Sequence, residues 1–444
     1  MRTNFLMLPG AMATVRIDPG ASARHRTAWR LLPFLFLLYV ANYLDRTNIA
    51  YATLGMKGDL GLTDSIFGTA SGIFFIGYFA LQIPGALLVE RWSARMLLGI
   101  TLITWGGLTT LTGFVQSPLQ LYGARFLLGA AEAGFFPGVI VFLSHWFIYQ
   151  DRAKAVARFM CAIPIAYMFG GPIAGAILGS HWLGLAGWRC LFLVEGVPAI
   201  ILGTASLYLL PDRPDNVHWL SADERHWLVA RLDEEHQAKA HVHHLTIWQA
   251  LRHPPVLILT IGLFFCYTGG YAFSFWMPTM IQRLTHWTTP HQIGWIGAIP
   301  FVAGFIGMLL MSWSSDRMHE RRWHFAIPQL TAAIGLGSWF FLPRSDALLL
   351  TAFILVGFGT NAYFPAFWAM PSAYLSRSAA AAAIGFINCM ASIGGFVGPK
   401  IIGELSERTG SFDSGFICMS ACWTIGVILV LLCPREKAAP QISA

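Results

Sequence analysis

The chain has 444 residues, of which 56% are hydrophobic and only 11% are charged. Soluble domains carry about 25% charged residues, so this composition excludes an ordinary soluble fold. The net charge of +7 comes from cations scattered over short polar segments, so no nucleic-acid partner is expected. The chain has no Gly-x-x-x-x-Gly-Lys-Ser/Thr motif and no metal-ligand spacing, so no cofactor and no metal are expected.

Apolar stretches long enough to cross about 30 Å of hydrocarbon recur along the chain. We therefore predict an all-α membrane protein with twelve transmembrane helices in two six-helix repeats. The predicted spans are 31–52, 66–89, 96–116, 119–147, 156–179, 188–210, 256–281, 291–313, 325–342, 347–371, 379–403 and 413–433.

The placement of lysine and arginine predicts how these spans are oriented. With the N-terminus inside, the cytoplasmic segments hold 21 Lys and Arg residues and the outside segments hold 6, with 2 more inside the membrane. This asymmetry predicts a multi-pass membrane protein with both termini in the cytoplasm.

Short motifs repeat between the two halves of the chain at an offset of 226 to 228 residues. Phe136-Pro137 matches Phe364-Pro365, and Gly171-Pro172 matches Gly398-Pro399. Repeats of this kind are typical of carriers whose two halves move about a central site. The predicted layout is a cytoplasmic segment 1–30, a six-helix bundle 31–210, a cytoplasmic loop 211–254, a second bundle 255–433 and a tail 434–444.

A third repeated motif, acid-Arg-x-x-x-Arg, follows spans two and eight. We predict that these charges latch neighbouring helices on the cytoplasmic side; plain positive-inside anchoring is the alternative. The residues are Glu90, Arg91, Arg95, Asp316, Arg317 and Arg321.

Four charges lie inside apolar runs: Asp45 and Arg46 in span one, and Arg125 and Glu132 in span four. A charge at mid-bilayer costs about 2.5–3.5 kcal/mol on insertion scales, which suggests a use for each. Arg125 and Glu132 share a helix face about 10 Å apart. An Arg fork suits a carboxylate, and a buried carboxyl group suits reversible protonation. The alternative is that the four form structural pairs, and Glu195 in span six is interpreted as structural.

The offset aligns Asp45 with Ala272, so the second half lacks these charges. It offers uncharged polar and aromatic side chains instead. Those in its spans include Tyr267, Tyr271, Trp276, Trp368 and Asn388.

Over about residues 28–433 the chain resembles the anion:cation symporter family of the major facilitator superfamily. The motifs that carry the resemblance are Asn42 to Ile49, Arg125 to Gly138, Gly187 to Gly196, and Gly394 to Pro399. The resemblance is greatest to the branch of tartrate, phthalate, hydroxyphenylacetate and rhamnonate carriers. One departure is Glu90, with no glycine between Arg91 and Arg95, where the superfamily prefers Asp and a Gly.

The resemblance implies proton-coupled uptake of an organic carboxylate anion, either a hydroxy or sugar acid such as tartrate or an aldonate or an aromatic carboxylate. It implies that uptake occurs across a bacterial inner membrane by alternating access, in a monomeric protein that is not an enzyme. It implies that Arg46 binds the substrate carboxylate and that Asp45 and Glu132 carry the coupling proton. It also implies that Tyr43, Tyr78, Trp368 and Asn388 line the pocket, beside Arg125. Its partners would be the anion, protons and the lipid bilayer.

Other classes of function remain open. A carrier of neutral sugars or an exporter would share the fold, although Arg46 and Arg125 argue against cationic drugs. A sensor would need a larger soluble domain than the 211–254 loop, and a channel would need rings of like groups along a pore. A membrane enzyme would need a nucleophile with its base, which the sequence does not offer.

Overall fold

The computed structural model describes residues 18–91, 93–180, 184–240, 253–371 and 377–434, and within these ranges every regular element is a helix. The helices, numbered in chain order, are α1 Pro19–Leu60, α2 Asp64–Arg91, α3 Ala94–Thr112, α4 Pro118–Glu132, α5 Phe135–Trp146, α6 Tyr149–Met160, α7 Ala162–Leu178, α8 Gly187–Leu209, α9 Ala222–Ala240, α10 Pro254–Leu284, α11 Pro290–Met318, α12 Arg322–Gly337, α13 Asp346–Ala362, α14 Phe364–Ala369, α15 Arg377–Ser392, α16 Gly394–Thr409 and α17 Asp413–Leu432.

The helices confirm the predicted all-α membrane fold. Eleven helical segments of the described residues are long and apolar enough to cross a membrane. The remaining predicted span, the ninth, corresponds to α12, which has 16 residues and continues into the 3-10 turn Ser338–Phe340. Each of the twelve predicted stretches therefore contains a helix or a pair of consecutive helices.

Four spans are broken by a single turn near their middle. The breaks fall at Ala133 and Gly134, at Cys161, at Tyr363 and at Ile393. Proline follows within three residues of three of these breaks, and glycine follows directly at Ile393. Proline removes a helix hydrogen bond and glycine weakens the helix, so the breaks lie where the sequence favours them.

Helix α1 begins well before the predicted span. Asp18 caps it by accepting from the backbone N–H of Gly20, and Pro19 occupies the first turn. The early turns contact other helices: Ser22 donates to Glu224 of α9, and Arg24 pairs with Asp151 of α6 at 2.7 Å. These tertiary contacts therefore accompany an extension of the helix into the segment 1–30, which was predicted to be cytoplasmic.

The same pairs of spans pack together in both halves of the chain. In the first half α2 contacts α4, α3 contacts α8, and α1 contacts both α7 and α8. In the second half, α11 contacts α13, α12 contacts α17, and α10 contacts both α16 and α17. These are the corresponding spans of a six-helix repeat, so the similarity seen in short motifs extends to the packing.

The two halves meet closely at one end of the bundle. A Cβ atom on Gly72 of α2 would lie 2.7 Å from the carbonyl oxygen of Phe396, and one on Gly175 of α7 would lie 2.5 Å from that of Pro290. Only glycine permits these approaches.

At the same end, Asp64 joins helices from both halves. Arg283 donates two hydrogen bonds to it, at 2.6 and 2.7 Å, and Ser406 donates one at 2.8 Å. Lys57 donates a further hydrogen bond at 2.6 Å, and Ser65 N–H donates to Glu407 at 2.7 Å. We call this group of residues the closed end.

Candidate functional site

Two of the four predicted charges form a direct pair at the centre of the bundle. Arg46 Nη2 donates to Glu132 Oε2 at 2.7 Å, and Asn42 Nδ2 donates to the same oxygen at 2.9 Å. The Glu132 side chain is fully buried, and that of Arg46 is 9% exposed. Glu132 is the last residue of α4, so its carboxylate lies at the break in span four.

Aromatic rings surround the Arg46 guanidinium. Its carbon lies 5.0 Å from the ring centroid of Tyr43 and 5.2 Å from those of Phe74 and Tyr78. Tyr271 of α10 faces it from the other half. Rings at these distances stabilise a cation without neutralising it. The rings therefore leave the charge of Arg46 to be balanced by Glu132.

Asp45 belongs to a second cluster. Adjacent residues of a helix point about 100° apart, so Asp45 faces away from Arg46 toward α3. Its Oδ1 accepts from Thr109 at 2.7 Å and from Asn48 Nδ2 at 3.1 Å. The residue is 1% exposed, and its Oδ2 accepts no hydrogen bond from the described residues.

Arg125 lies between the two clusters. It is fully buried, with its guanidinium carbon 5.0 Å from the Phe74 centroid. It interacts electrostatically with both Asp45 and Glu132, yet none of its nitrogen atoms donates a hydrogen bond to a described residue. Arg125 thus interacts with both acids and with Arg46 without a fixed hydrogen bond to any of them.

The second half contributes uncharged groups to the centre. The Tyr267 hydroxyl donates to Asn388 Oδ1 at 3.3 Å, and the Tyr267 and Tyr271 rings pack edge to face at 5.4 Å. Trp368 is half-buried, and its buried Nε1 donates to no described residue. Trp276 lies elsewhere, because its Nε1 donates to the carbonyl of Pro399 between helices.

The predicted latch residues are only partly described. Arg95 pairs with Asp212 at 3.5 Å, and Asp316 pairs with Arg321 at 2.7 Å, each within its own half. Arg317 is exposed beside the Trp313 ring. The side chains of Glu90 and Arg91 lie outside the described residues, so the latch stays a prediction.

Sequence reasoning missed the uncharged partners of the buried charges. Asn42, Asn48 and Thr109 hold the two acids, and Phe74 lies against both arginines. Asn48 had a signal, because it lies three residues after Asp45, and Asn42 had one, because it lies four residues before Arg46; each shares the helix face of that charged residue. Thr109 had none, because it lies in an apolar span without a charge nearby.

These observations define a membrane carrier with a buried ionic site between two six-helix groups. The sequence matches the Major Facilitator Superfamily over residues 35–399 and 284–444, and the chain belongs to that family of transporters. A protein of Agrobacterium vitis whose name proposes tartrate transport is 40% identical, covering 93% of this chain and 94% of that protein.

Two further comparisons concern a second relative and the fold. A quinolone resistance transporter of Acinetobacter baumannii is 35% identical, covering 91% of this chain and 93% of that protein. A crystal structure of a bacterial homologue of the human lysosomal transporter Spinster superposes with a TM-score of 0.74 at 18% identity, over 95% of this chain and 98% of that chain. The last similarity concerns the fold alone.

Proposed function

We propose that this chain is a proton-coupled symporter that takes up an organic carboxylate anion across a bacterial inner membrane by alternating access. The observation that carries the proposal is the Arg46–Glu132 pair. A guanidinium facing an aromatic centre is held by a single carboxylate oxygen at 2.7 Å. A second anion and a proton can therefore compete for the same pair.

The coupling follows from charge balance at this pair. Protonation of Glu132 removes the negative charge opposite Arg46, whose planar fork then binds a substrate carboxylate through two parallel hydrogen bonds. Without the proton, the substrate meets an arginine already paired. Without the substrate, the protonated state leaves a buried arginine unpaired, which is costly. Proton and anion therefore bind together.

The remaining proposed roles depend on position. Tyr43 and Tyr78 flank Arg46, and Asn388 with Trp368 would contact the rest of the substrate from the other half. Asp45 would carry or share the proton, and Arg125 would balance whichever acid is ionised.

Both termini are proposed to be cytoplasmic, with the acid-Arg-x-x-x-Arg loops latching that side, and the protein is proposed to act as a monomer.

Uptake by cells that express the chain tests the proposal. We expect accumulation of at least one labelled anion among tartrate, a sugar acid, phthalate and hydroxyphenylacetate, abolished when the pH gradient is dissipated. Arg46→Ala should remove it, whereas Arg231→Ala should not, because Arg231 pairs with Glu234 on the exposed face of α9. Accumulation that is unaffected by Arg46→Ala would contradict the proposed site.

The Acinetobacter relative favours a second candidate, the export of quinolones. Quinolone antibiotics carry a carboxylate, so Arg46 is compatible with them. Expression of the chain would then lower the drug content of a susceptible strain and leave tartrate uptake at background. Raised tartrate uptake with an unchanged drug content would exclude export.

A further inference from the structure

Glu195 of α8 is a partly buried acid that neither the substrate site nor the closed end uses. Its Oε2 is shielded from solvent and accepts no hydrogen bond from the described residues. A carboxyl group in a membrane span without a fixed partner is costly to keep ionised. A purely structural role would call for a donor at that oxygen.

The side chain that links Glu195 to the coupling site is Asn48. Asn48 is 2% exposed, interacts with Glu195, and donates through Nδ2 to Asp45 Oδ1 at 3.1 Å. Its own Oδ1 accepts nothing from the described residues. The Asn48 amide therefore lies between the two acids, with Nδ2 as a donor and Oδ1 as an acceptor.

The surroundings of Glu195 make Asp45 its charged neighbour. Helices α1, α3 and α7 pack against α8. Residues 96–112 of α3 and 162–178 of α7 contain no Asp, Glu, Lys, Arg or His. From α1, Asp45 is the charged group that acts on Glu195, and Arg125 acts in turn on Asp45.

We propose that Glu195 is a second protonation site linked to Asp45 through the Asn48 amide, so that the two acids together hold one proton. This inference rests on the proposed proton coupling and extends it. When Glu195 holds the proton, its O–H donates to Asn48 Oδ1, and Asn48 Nδ2 donates to ionised Asp45. When Asp45 holds the proton, the amide turns over and the two roles exchange.

Electrostatics keeps the number of shared protons at one. Two nearby carboxylates in a medium of low dielectric constant do not both ionise readily, and the pair titrates as a unit. Arg125 supplies one positive charge that acts on Asp45, and this charge matches one ionised acid in the pair. The Asp45–Glu195 pair thus holds one proton in addition to the proton proposed for Glu132.

The first experiment needs no substrate. Infrared difference spectra of the purified protein are recorded across a pH titration, following the C=O stretch of protonated carboxyl groups. Glu195→Gln should remove one component of this band and move the midpoint of the Asp45 component toward acid by about one pH unit, since a like charge has been removed. Glu195→Asp should restore the parental midpoint in part. Glu234→Gln on α9 is the exposed control and should change nothing.

Two outcomes overturn the inference. If Glu195→Gln lowers the melting temperature but leaves the carboxyl band and its midpoint unchanged, Glu195 is structural. If the shift of the midpoint is as large in an Asn48→Ala background as in the parent, the amide does not link the acids.

The second experiment separates this inference from the proposed function. The pH profile of tartrate uptake is measured in vesicles for the parent, Glu195→Gln and Glu234→Gln. An acid shift of the profile in Glu195→Gln alone supports the shared proton. Absence of proton-coupled uptake in the parent, for tartrate and for the other anions tested above, would remove the proposed function and leave the infrared result standing. An unshifted profile in an active Glu195→Gln variant would overturn the inference and leave the function intact.

Discussion

The first six spans hold four buried charges around the centre of the bundle, whereas the last six present phenols, an indole and an amide there. Both groups pack their helices in the same pairs. The arrangement of the backbone therefore does not determine where the buried charges lie. Their position is determined by the side chains, and only those of the first half are charged. Under the proposed function, the first six spans would hold the proton and the substrate carboxylate while the last six would contact the rest of the substrate.

A change at Arg46 tests the difference between the two halves most strongly. Arg46→Lys keeps the charge but loses the planar fork, so we expect substrate binding to weaken by about 2–3 kcal/mol, or roughly 30- to 150-fold. Calorimetry with the purified protein measures this loss. Arg231→Lys is the matched control, and equal binding by parent and Arg46→Lys would remove the proposed fork.

Glu132→Gln should separate exchange from accumulation. Glutamine mimics the protonated acid and frees Arg46, so exchange of internal for external substrate should continue while pH-driven accumulation is lost. Reconstituted vesicles report both activities. A joint loss of folded protein, binding and exchange would instead indicate that the pair with Arg46 is structural.

If Glu132→Gln still accumulates substrate from a pH gradient, Glu132 is not the essential proton carrier. Asp45, with its shared proton, would then be the remaining candidate in the first half.

Asp64→Asn addresses the contact between the halves rather than the chemistry of either. The change weakens the hydrogen bonds from Lys57, Arg283 and Ser406, and we expect about 1–2 kcal/mol less stability for the closed end, since the two cations are partly exposed. Faster hydrogen exchange at the C-terminal turn of α16 would show this. Glu404→Gln, which affects an exposed pair with Lys400 at 3.9 Å, should leave the exchange unchanged.

The smallest effect is expected from the uncharged half. Tyr267→Phe removes one neutral hydrogen bond to Asn388, so the apparent free energy of substrate binding should change by about 0.5–1.5 kcal/mol at most. Comparing the apparent affinities for two different anions tests whether this half governs selectivity. Tyr208→Phe, an exposed residue of α8, is the control, and an effect as large as that of Arg46→Lys would contradict the division between the halves.

The sequence predicted the fold well because the membrane imposes a strong constraint. Apolar runs of bilayer length correctly predicted the helices. Helix α12 is shorter than the predicted span because its last residues form the 3-10 turn Ser338–Phe340. Helix α1 begins before the predicted span because its first turns contact α6 and α9, and composition does not reveal such contacts. The site was predictable where it was charged, as at Arg46 and Glu132, since a buried charge stands out in an apolar run.

The division of the four charges into two clusters was not predictable. It depends on the angle between Asp45 and Arg46 around α1 and on Thr109, an uncharged residue of another span. For the same reason Glu195 was interpreted as structural, because its neighbour Asn48 is distant in sequence.

Helix α1 has one more consequence, which concerns mechanics. It runs for 42 residues, about 63 Å, from the contact with α9 to Lys57 at the closed end. Pro33 lies between the docked turns and the segment that carries Asn42 to Asn48. Since proline removes one rung of the helix hydrogen-bond ladder, the rod has a built-in bending point there. A bend at Pro33 would let the segment that carries Asn42 to Asn48 tilt with the centre of the bundle while the first turns keep their contacts with α6 and α9.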